Sequence, residues 1–167
     1  MKKYIFTLLF TLISLAVSAQ FKVAYYSNDA VLHSMAEYQQ AQNDLKSLKQ
    51  QYDKETKRAQ EEFNAKYEEF LDEVNTLAPS IRRKRQIELH QAMETNIKFR
   101  DEANRLLKQA EKDAIAPLQA RINEVLRLIA AEHSYAVIVN TDSNACPYIS
   151  PLIREDINTL VSESLKQ

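Results

Sequence analysis

No glycine occurs anywhere in the 167 residues. Glycine supplies positive φ at no steric cost and lets a backbone approach a phosphate closely. Its absence excludes the phosphate-cradling P-loop and the Gly-rich dinucleotide turn, and so argues against an ATP-driven machine or a nucleotide enzyme. The nucleophile elbow of the α/β-hydrolases is excluded by the same count. Tight turns are scarce in such a chain, which favours long helices over a many-stranded sandwich.

The apolar pattern agrees. Phe21 to Tyr26 is short, apolar and rich in β-formers, and reads as a strand. Ser27-Asn28-Asp29 supplies capping residues ahead of a short helical turn at Ala30-Val31-Leu32. Ser34-Met35-Ala36-Glu37 has the form of a capping box and predicts the start of a long helix. A seam follows at three- and four-residue steps: Tyr38, Ala41, Leu45, Leu48, Tyr52, then Ala59, Phe63, Tyr67, Phe70, Val74 and Leu77. Glu55 or Thr56 interrupts it, and the consecutive four-residue steps at Ala59, Phe63 and Tyr67 form a stutter that relaxes a supercoil locally. Leu77-Ala78-Pro79-Ser80 breaks the helix, because proline disfavours helix at the residue before it and readily opens a new one. A second long helix carries Ile81, Leu89, Met93, Ile97, Ala103, Leu106, Ala110 and Ala114 along one side. Asp53/Lys57, Glu62/Lys66, Glu94/Lys98 and Asp101/Arg105 are placed as i,i+4 ion pairs on the outer faces. Each helix is about 60 Å long at about 1.5 Å per residue, and the short break predicts that they fold back on each other.

Pro117 falls inside the continuing helical pattern of Leu118, Ile122, Val125 and Ile129, and predicts a bend near Asp113. The helix should end near His133-Ser134, followed by a second strand at Tyr135 to Asn140. Asn144 to Pro151 is turn-rich, with Tyr148-Ile149 as a short strand. Ile153, Ile157, Leu160, Val161 and Leu165 give a closing amphipathic helix. The expected fold is α+β and mostly helical: one domain over 20–167, with a small β-containing body (20–36 and 115–167) and a projecting antiparallel helical arm (37–114). A core that small rarely stands alone. Two or three strands also leave open edges, so the bodies of several chains should join.

The first nineteen residues have the grammar of a cleaved export signal. Lys2 and Lys3 precede an apolar stretch from Tyr4 to Val17, and Val17-Ser18-Ala19 offers small residues at a cleavage site. The stretch is short for a span of about 20 residues. No cysteine follows it, so lipoprotein anchoring is not indicated. The lone cysteine, Cys146, excludes a disulfide within one chain. It reads as a small apolar side chain rather than a reactive thiol, since it precedes Pro147 with no activator beside it. The formal charge of −1 does not suggest a nucleic-acid binder. His33, His90 and His133 lie far apart without metal-ligand spacing, and no serine sits in a nucleophile motif. No catalytic residue, metal site or cofactor is therefore expected.

The order of these pieces is fairly specific. The export signal precedes a short strand containing Lys22-Val23-Ala24-Tyr25, then Val31-Leu32, then Met35-Ala36-Glu37-Tyr38-Gln39 and the charged hairpin. Ala116-Pro117-Leu118 with Ile122, the Tyr135 strand, Tyr148-Ile149-Ser150 and Asp156-Ile157 complete the pattern. Across the whole mature chain this closely resembles the Skp (OmpH) family of periplasmic chaperones. The resemblance implies a homotrimer whose β-rich body joins three chains, with three helical hairpins enclosing a cavity. It implies an ATP-independent holdase that shelters unfolded outer-membrane proteins in the periplasm. The chain departs from the family in having His133-Ser134 where glycine is frequent before the Tyr135 strand, and Asn158 where threonine is frequent. It is also slightly acidic rather than strongly basic.

A holdase needs dispersed apolar surface and charge for solubility. Phe63, Tyr67, Phe70, Met93 and Phe99 bring large side chains to the distal half of the hairpin. A regular helical stripe is usually packing, so most of them belong between the helices and the remainder form a soft client surface, for which Met93 is suited. Arg82-Arg83-Lys84-Arg85 puts four basic residues beside the turn. Such a run ordinarily marks a solvated helix end. As a functional element it would attract acidic client segments or an anionic membrane surface. The alternative to a holdase is a structural coiled-coil spacer or an adaptor for one periplasmic partner. The stutter, aromatics and proline tilt against a spacer. A membrane-surface binder would want a basic face along a whole helix, and only the tip is basic.

Overall fold

The structure is a computed structural model that describes residues 22–142, 144 and 146–166; the predicted signal segment and Phe21 lie outside them. The elements run β1 (Lys22–Tyr26), α1 (Asn28–Ser34), α2 (Ala36–Glu73), α3 (Pro79–His133), β2 (Tyr135–Asn140), β3 (Arg154–Asp156) and α4 (Asn158–Ser164). Contacts divide the chain into two compact units. One holds residues up to Met35 and from Ala120 onward; the other is Ala36–Gln119.

The first unit is built on a sheet of order β2-β1-β3. Both pairings are parallel, with Val23 opposite Val137 on one side and Arg154 on the other. A parallel pair needs a long crossover, and between β1 and β2 the chain runs through α1, α2 and α3. The central strand buries Val23, Ala24 and Tyr26. Val31 and Leu32 of α1, Ile122 and Ile129 of α3, Tyr135, and Ile157, Val161 and Leu165 around α4 complete this core. Ile122, Ile157, Val31 and Val161 are fully enclosed, each worth about 1.5–3 kcal/mol of burial.

Polar ties close the same unit. Ser27 caps α1, its hydroxyl accepting the Ala30 N–H at 3.0 Å. The Ser27 N–H donates to Asn158 Oδ1 at 2.8 Å, joining the starts of α1 and α4. Asn158 is held in turn by Asp156, whose Oδ1 accepts both its backbone and side-chain N–H groups. The Asp142 carboxylate accepts the Asp29 N–H at 2.8 Å. A hydrogen bond from the Ser27 hydroxyl, helped by the Asp29 and Asn28 N–H groups, holds the Asp142 carboxyl below its ordinary pKa.

Three expectations are corrected in this unit. Ser34 is the last residue of α1, its hydroxyl donating to the Val31 carbonyl at 2.7 Å, and the helix boundary falls at the extended Met35. The third strand is not Tyr148-Ile149 but Arg154–Asp156. All three of its residues are exposed, so it carries no apolar pattern; it is a strand because β1 pairs with it, with flanking bonds from the Val23 N–H to the Ile153 carbonyl and from the Ile157 N–H to the Tyr25 carbonyl, both 3.1 Å. Ile153 accordingly precedes this strand and is not part of the closing helix.

Without glycine, positive φ falls on other residues: Ser134 at 56° and Asn144 at 51°. Ser134 sits between α3 and β2, where the helix must turn into a strand within one residue.

The second unit is a helix pair. Pro79 opens α3 as expected, in the position where its missing N–H is no loss. The end of α2 is closed by the Thr76 hydroxyl and by the Thr76 and Leu77 N–H groups, all donating to the Glu73 carbonyl. Asn96 Nδ2 donates to the Ala59 carbonyl across the pair at 3.1 Å, and the Tyr52 and Phe99 rings meet edge to face at 6.1 Å. These contacts run antiparallel. The predicted α2 seam is half-buried along its length, except at Tyr67, and Glu55 and Thr56, where it is interrupted, are half-buried as well. No residue of α2 is fully buried. Pro117 lies inside α3, and the helix continues through it and through the predicted bend site at Asp113. Proline removes one N–H from the ladder, and the turns on either side are long enough to carry the helix past it.

Candidate functional site

The helical pair carries every residue singled out as client-binding. Phe63, Phe70 and Phe99 are half-buried between the helices. Tyr67 and Met93 are exposed, at 45% and 42%. The Tyr67 ring lies parallel to that of Phe63, with centroids 6.0 Å apart, so one aromatic packs inward and carries the other on its face.

On α3 the inward set differs from the expected one. Leu89, Ala92, Asn96, Phe99, Ala103, Leu107, Ala110 and Ala114 face the partner helix, while Ile81, Met93, Ile97 and Leu106 are exposed. The two lines are both helically spaced and lie side by side. The bulkier set was the natural expectation, but the α2 seam is itself lined with aromatics, and a line that includes four alanines lies opposite it. Met93 was expected as surface; Ile81, Ile97 and Leu106, joined by Leu71 and Ile87 at about half exposure, are exposed apolar residues that were not. Their signal was an apolar residue outside the main seam. These exposed apolar residues stand among charged neighbours along the helices.

Those charges are organised locally. Lys49 pairs with Asp53 at 2.6 Å, Lys57 with Glu61 at 3.7 Å, His90 with Glu94 at 3.3 Å and Arg105 with Glu102 at 2.6 Å. Arg58 bridges Glu55 and Glu62, and its guanidinium holds the Glu55 carboxyl below its ordinary pKa. The expected pairs therefore involve the right residues with different partners: Asp53 turns to Lys49 rather than Lys57, Glu62 to Arg58 rather than Lys66, Glu94 to His90 and Arg105 to Glu102. Asp53, Glu62 and Glu94 each have a basic residue four positions away on both sides, and Arg105 has acids both three and four positions before it, so sequence spacing cannot choose between them. The pairs are exposed, where such bridges contribute little to stability.

The four basic residues at the turn are unequal. Arg82 is half-buried and reaches back to the Leu77 carbonyl at 3.4 Å. Lys84 and Arg85 share Glu88, at 3.7 and 3.4 Å. Arg83 alone of the four makes no ion pair or side-chain hydrogen bond among the described residues. Both helix ends here carry the sign that the helix dipole disfavours. The last turn of α2 has Asp72 and Glu73 and no base, and the first turn of α3 has no acid before its basic run.

The sheet-containing unit has a different exposed surface. Leu152 is 94% and Tyr148 75% exposed, with Leu128, Ile153 and Val137 near half. The Tyr135 hydroxyl is buried near the Glu155 carboxylate; burial first, and Glu155 second, push its pKa up to about 12. Cys146 is half-buried, its thiol 3.4 Å from the Tyr148 carbonyl. Among the described residues no acid, histidine and cysteine cluster is suited to a metal ion, and no helix is long and apolar enough to cross a membrane.

Solved structures give the same fold. The crystal structure of a candidate outer membrane chaperone (OmpH-like) from Caulobacter crescentus CB15 superposes with a TM-score of 0.71 at 15% identity, covering 86% of this chain and 82% of that one. No curated protein matches the sequence significantly. The sequence matches the family described as outer membrane protein (OmpH-like) over residues 22–165, nearly all of the described chain, and the protein belongs to that family.

Proposed function

We propose that this protein is an ATP-independent holdase of the periplasm that binds unfolded outer-membrane proteins and keeps them from aggregating. The observation that carries the reading is the helical pair. It has no fully buried residue on α2 and leaves Tyr67, Leu71, Ile87, Met93, Ile97 and Leu106 exposed among charges. Each exposed apolar contact is small, so a client segment is held weakly at many points and is not trapped at one. The charges keep the loaded surface soluble. Family membership and the chaperone-like fold support the same role. A chain without glycine has no phosphate loop, so binding and release run without nucleotide. In this reading residues 1–19 are an export signal that carries the single domain over 20–167 out of the cytoplasm.

The same proposal includes self-association. Three chains join through the sheet-containing unit, where Leu152, Tyr148 and Ile153 are exposed. Its sheet has two open edges, β2 and β3. A core this small rarely supplies enough stability to stand alone. At the hairpin turn, Arg83 and the partly neutralised residues around it contact acidic client segments or an anionic membrane surface.

The test is light scattering as a urea-unfolded outer-membrane β-barrel protein is diluted into nucleotide-free buffer with this protein. Suppression that saturates near three chains per client is the expected result. Unchanged aggregation in the presence of folded protein would overturn the holdase and leave a spacer or single-partner adaptor.

A further inference from the structure

Beside the hairpin turn, between the end of α2 and the start of α3, lies a cavity of about 250 Å³. Its apolar wall is made by Phe70 and Leu77 from one side and Leu89 and Ala92 from the other. Ala92 is the reason it exists: a larger residue in that inward position would fill it. The volume is below the roughly 300–1,000 Å³ of a site for a drug-sized molecule, and suits one side chain of an extended segment.

The rim is charged, and its charges are not equally engaged. Arg85 and Glu88 face each other at 3.4 Å. Glu69 and Glu73 stand one helical turn apart on α2, and neither makes an ion pair among the described residues. Like charges at that spacing repel. Glu73 also lies at the carbonyl end of α2, where the helix dipole adds to the negative potential. Lys66 is the one other uncommitted charge on the rim, and Glu88 is shared by Arg85 and Lys84, so the unrelieved negative charge is local to Glu69 and Glu73. A cation would relieve this arrangement, and the apolar wall beneath would take the hydrocarbon stem that carries it. Arginine and lysine side chains have that form, apolar along the stem and charged at the head.

Building on the holdase reading, we propose that this cavity is a binding site for a single basic side chain, arginine above all, of an extended unfolded client. The stem packs on Phe70, Leu77 and Leu89, and the guanidinium is held by Glu69 and Glu73. Arginine fits better than lysine because its planar fork can serve two carboxylates at once. The hairpin tip then reads both signs of client charge: acidic segments at the exposed Arg83 side, basic side chains in the cavity.

The experiment uses the full chain with labelled methyl groups and Ser/Asn-rich peptides centred on arginine, on its neutral isostere citrulline, or on phenylalanine. The arginine peptide should shift the Ala92 and Leu89 methyl resonances, and the other two should not. Glu69→Gln with Glu73→Gln should weaken arginine binding roughly tenfold, the scale of losing a hydrogen bond to a charged group. Ala92→Phe should abolish it by filling the cavity. Citrulline or phenylalanine binding as well as arginine, or affinity unchanged in the double glutamine variant, overturns the proposal. Aggregation suppression is measured on the same samples. Suppression without an arginine-specific shift removes the cavity site and keeps the holdase; arginine binding without suppression removes the holdase and keeps the cavity.

Discussion

The sheet-containing unit and the helical pair solve the burial problem in opposite ways. In the first, side chains converge from β1, α1, α3 and α4, and Ile122, Ile157, Val31 and Val161 lose all contact with solvent. In the second, two helices meet along one line, and even the best-placed residues stay partly exposed apart from Ala103 and Leu118. Two cylinders in contact cover only one stripe of each other, whereas a sheet flanked by helices can enclose a side chain on every face. The difference teaches where stability lies and where apolar surface is left exposed. The enclosed unit holds the chain's dense core. The open pair has apolar surface to spare for a partner.

The largest expected effect tests that contrast directly. Ile157→Ala should lower unfolding free energy by about 2–5 kcal/mol, the usual range for emptying an enclosed site. Leu45→Ala in the half-buried α2 seam should cost less than half as much. Urea denaturation followed by far-UV circular dichroism measures both, and equal losses would break the contrast. Next, Leu152→Asp should dissociate the proposed assembly while leaving the fold of the unit intact, since that side chain is 94% exposed within the chain. Sedimentation should show the shift to smaller species, and an unchanged mass would move self-association elsewhere.

A smaller effect comes from the cap that ties α1 to its surroundings. Ser27→Ala should cost about 1 kcal/mol, because it removes both the acceptor for the Ala30 N–H and the donor to Asp142. The same substitution sharpens the pH dependence. Asp142 has a lowered folded pKa, so its contribution is present above the unfolded carboxylate pKa and is lost as pH falls through the lower folded value. Acid unfolding of the wild type should therefore show a component that Ser27→Ala reduces. Ser134→Gly should give the smallest change, and in the opposite direction: a gain of up to about 1 kcal/mol, because glycine accepts positive φ without the Cβ clash. Thermal unfolding would detect it, and a loss would mean that the serine side chain is itself needed at that turn.

The serine at 134 shows how the chain can be read. Its neighbours in sequence already marked the end of a helix and the start of a strand, and β2 runs over the residues expected, Tyr135–Asn140. What sequence could not show is that the glycine-like conformation survives without glycine. Hairpin residues were legible to a similar depth. The α2 seam was readable because one apolar line dominates, whereas α3 offers two lines side by side, and only the partner helix selects between them. Arg82 belonged to the basic run by composition, yet its backbone contact to Leu77 separates it from Arg83.

Sequence alone determined the long helices, their break at Pro79, the two apolar strands and the exclusion of phosphate-binding loops, because these follow from local periodicity and from which residues can adopt which backbone angles. Tertiary structure decided that Arg154–Asp156 is a strand, that Ser34 closes α1 rather than caps α2, which ion-pair partner each charge takes, and which face of α3 turns inward. Each of those outcomes depends on a group distant in sequence that supplies a hydrogen bond, a packing surface or an opposite charge, and no local pattern carries that information.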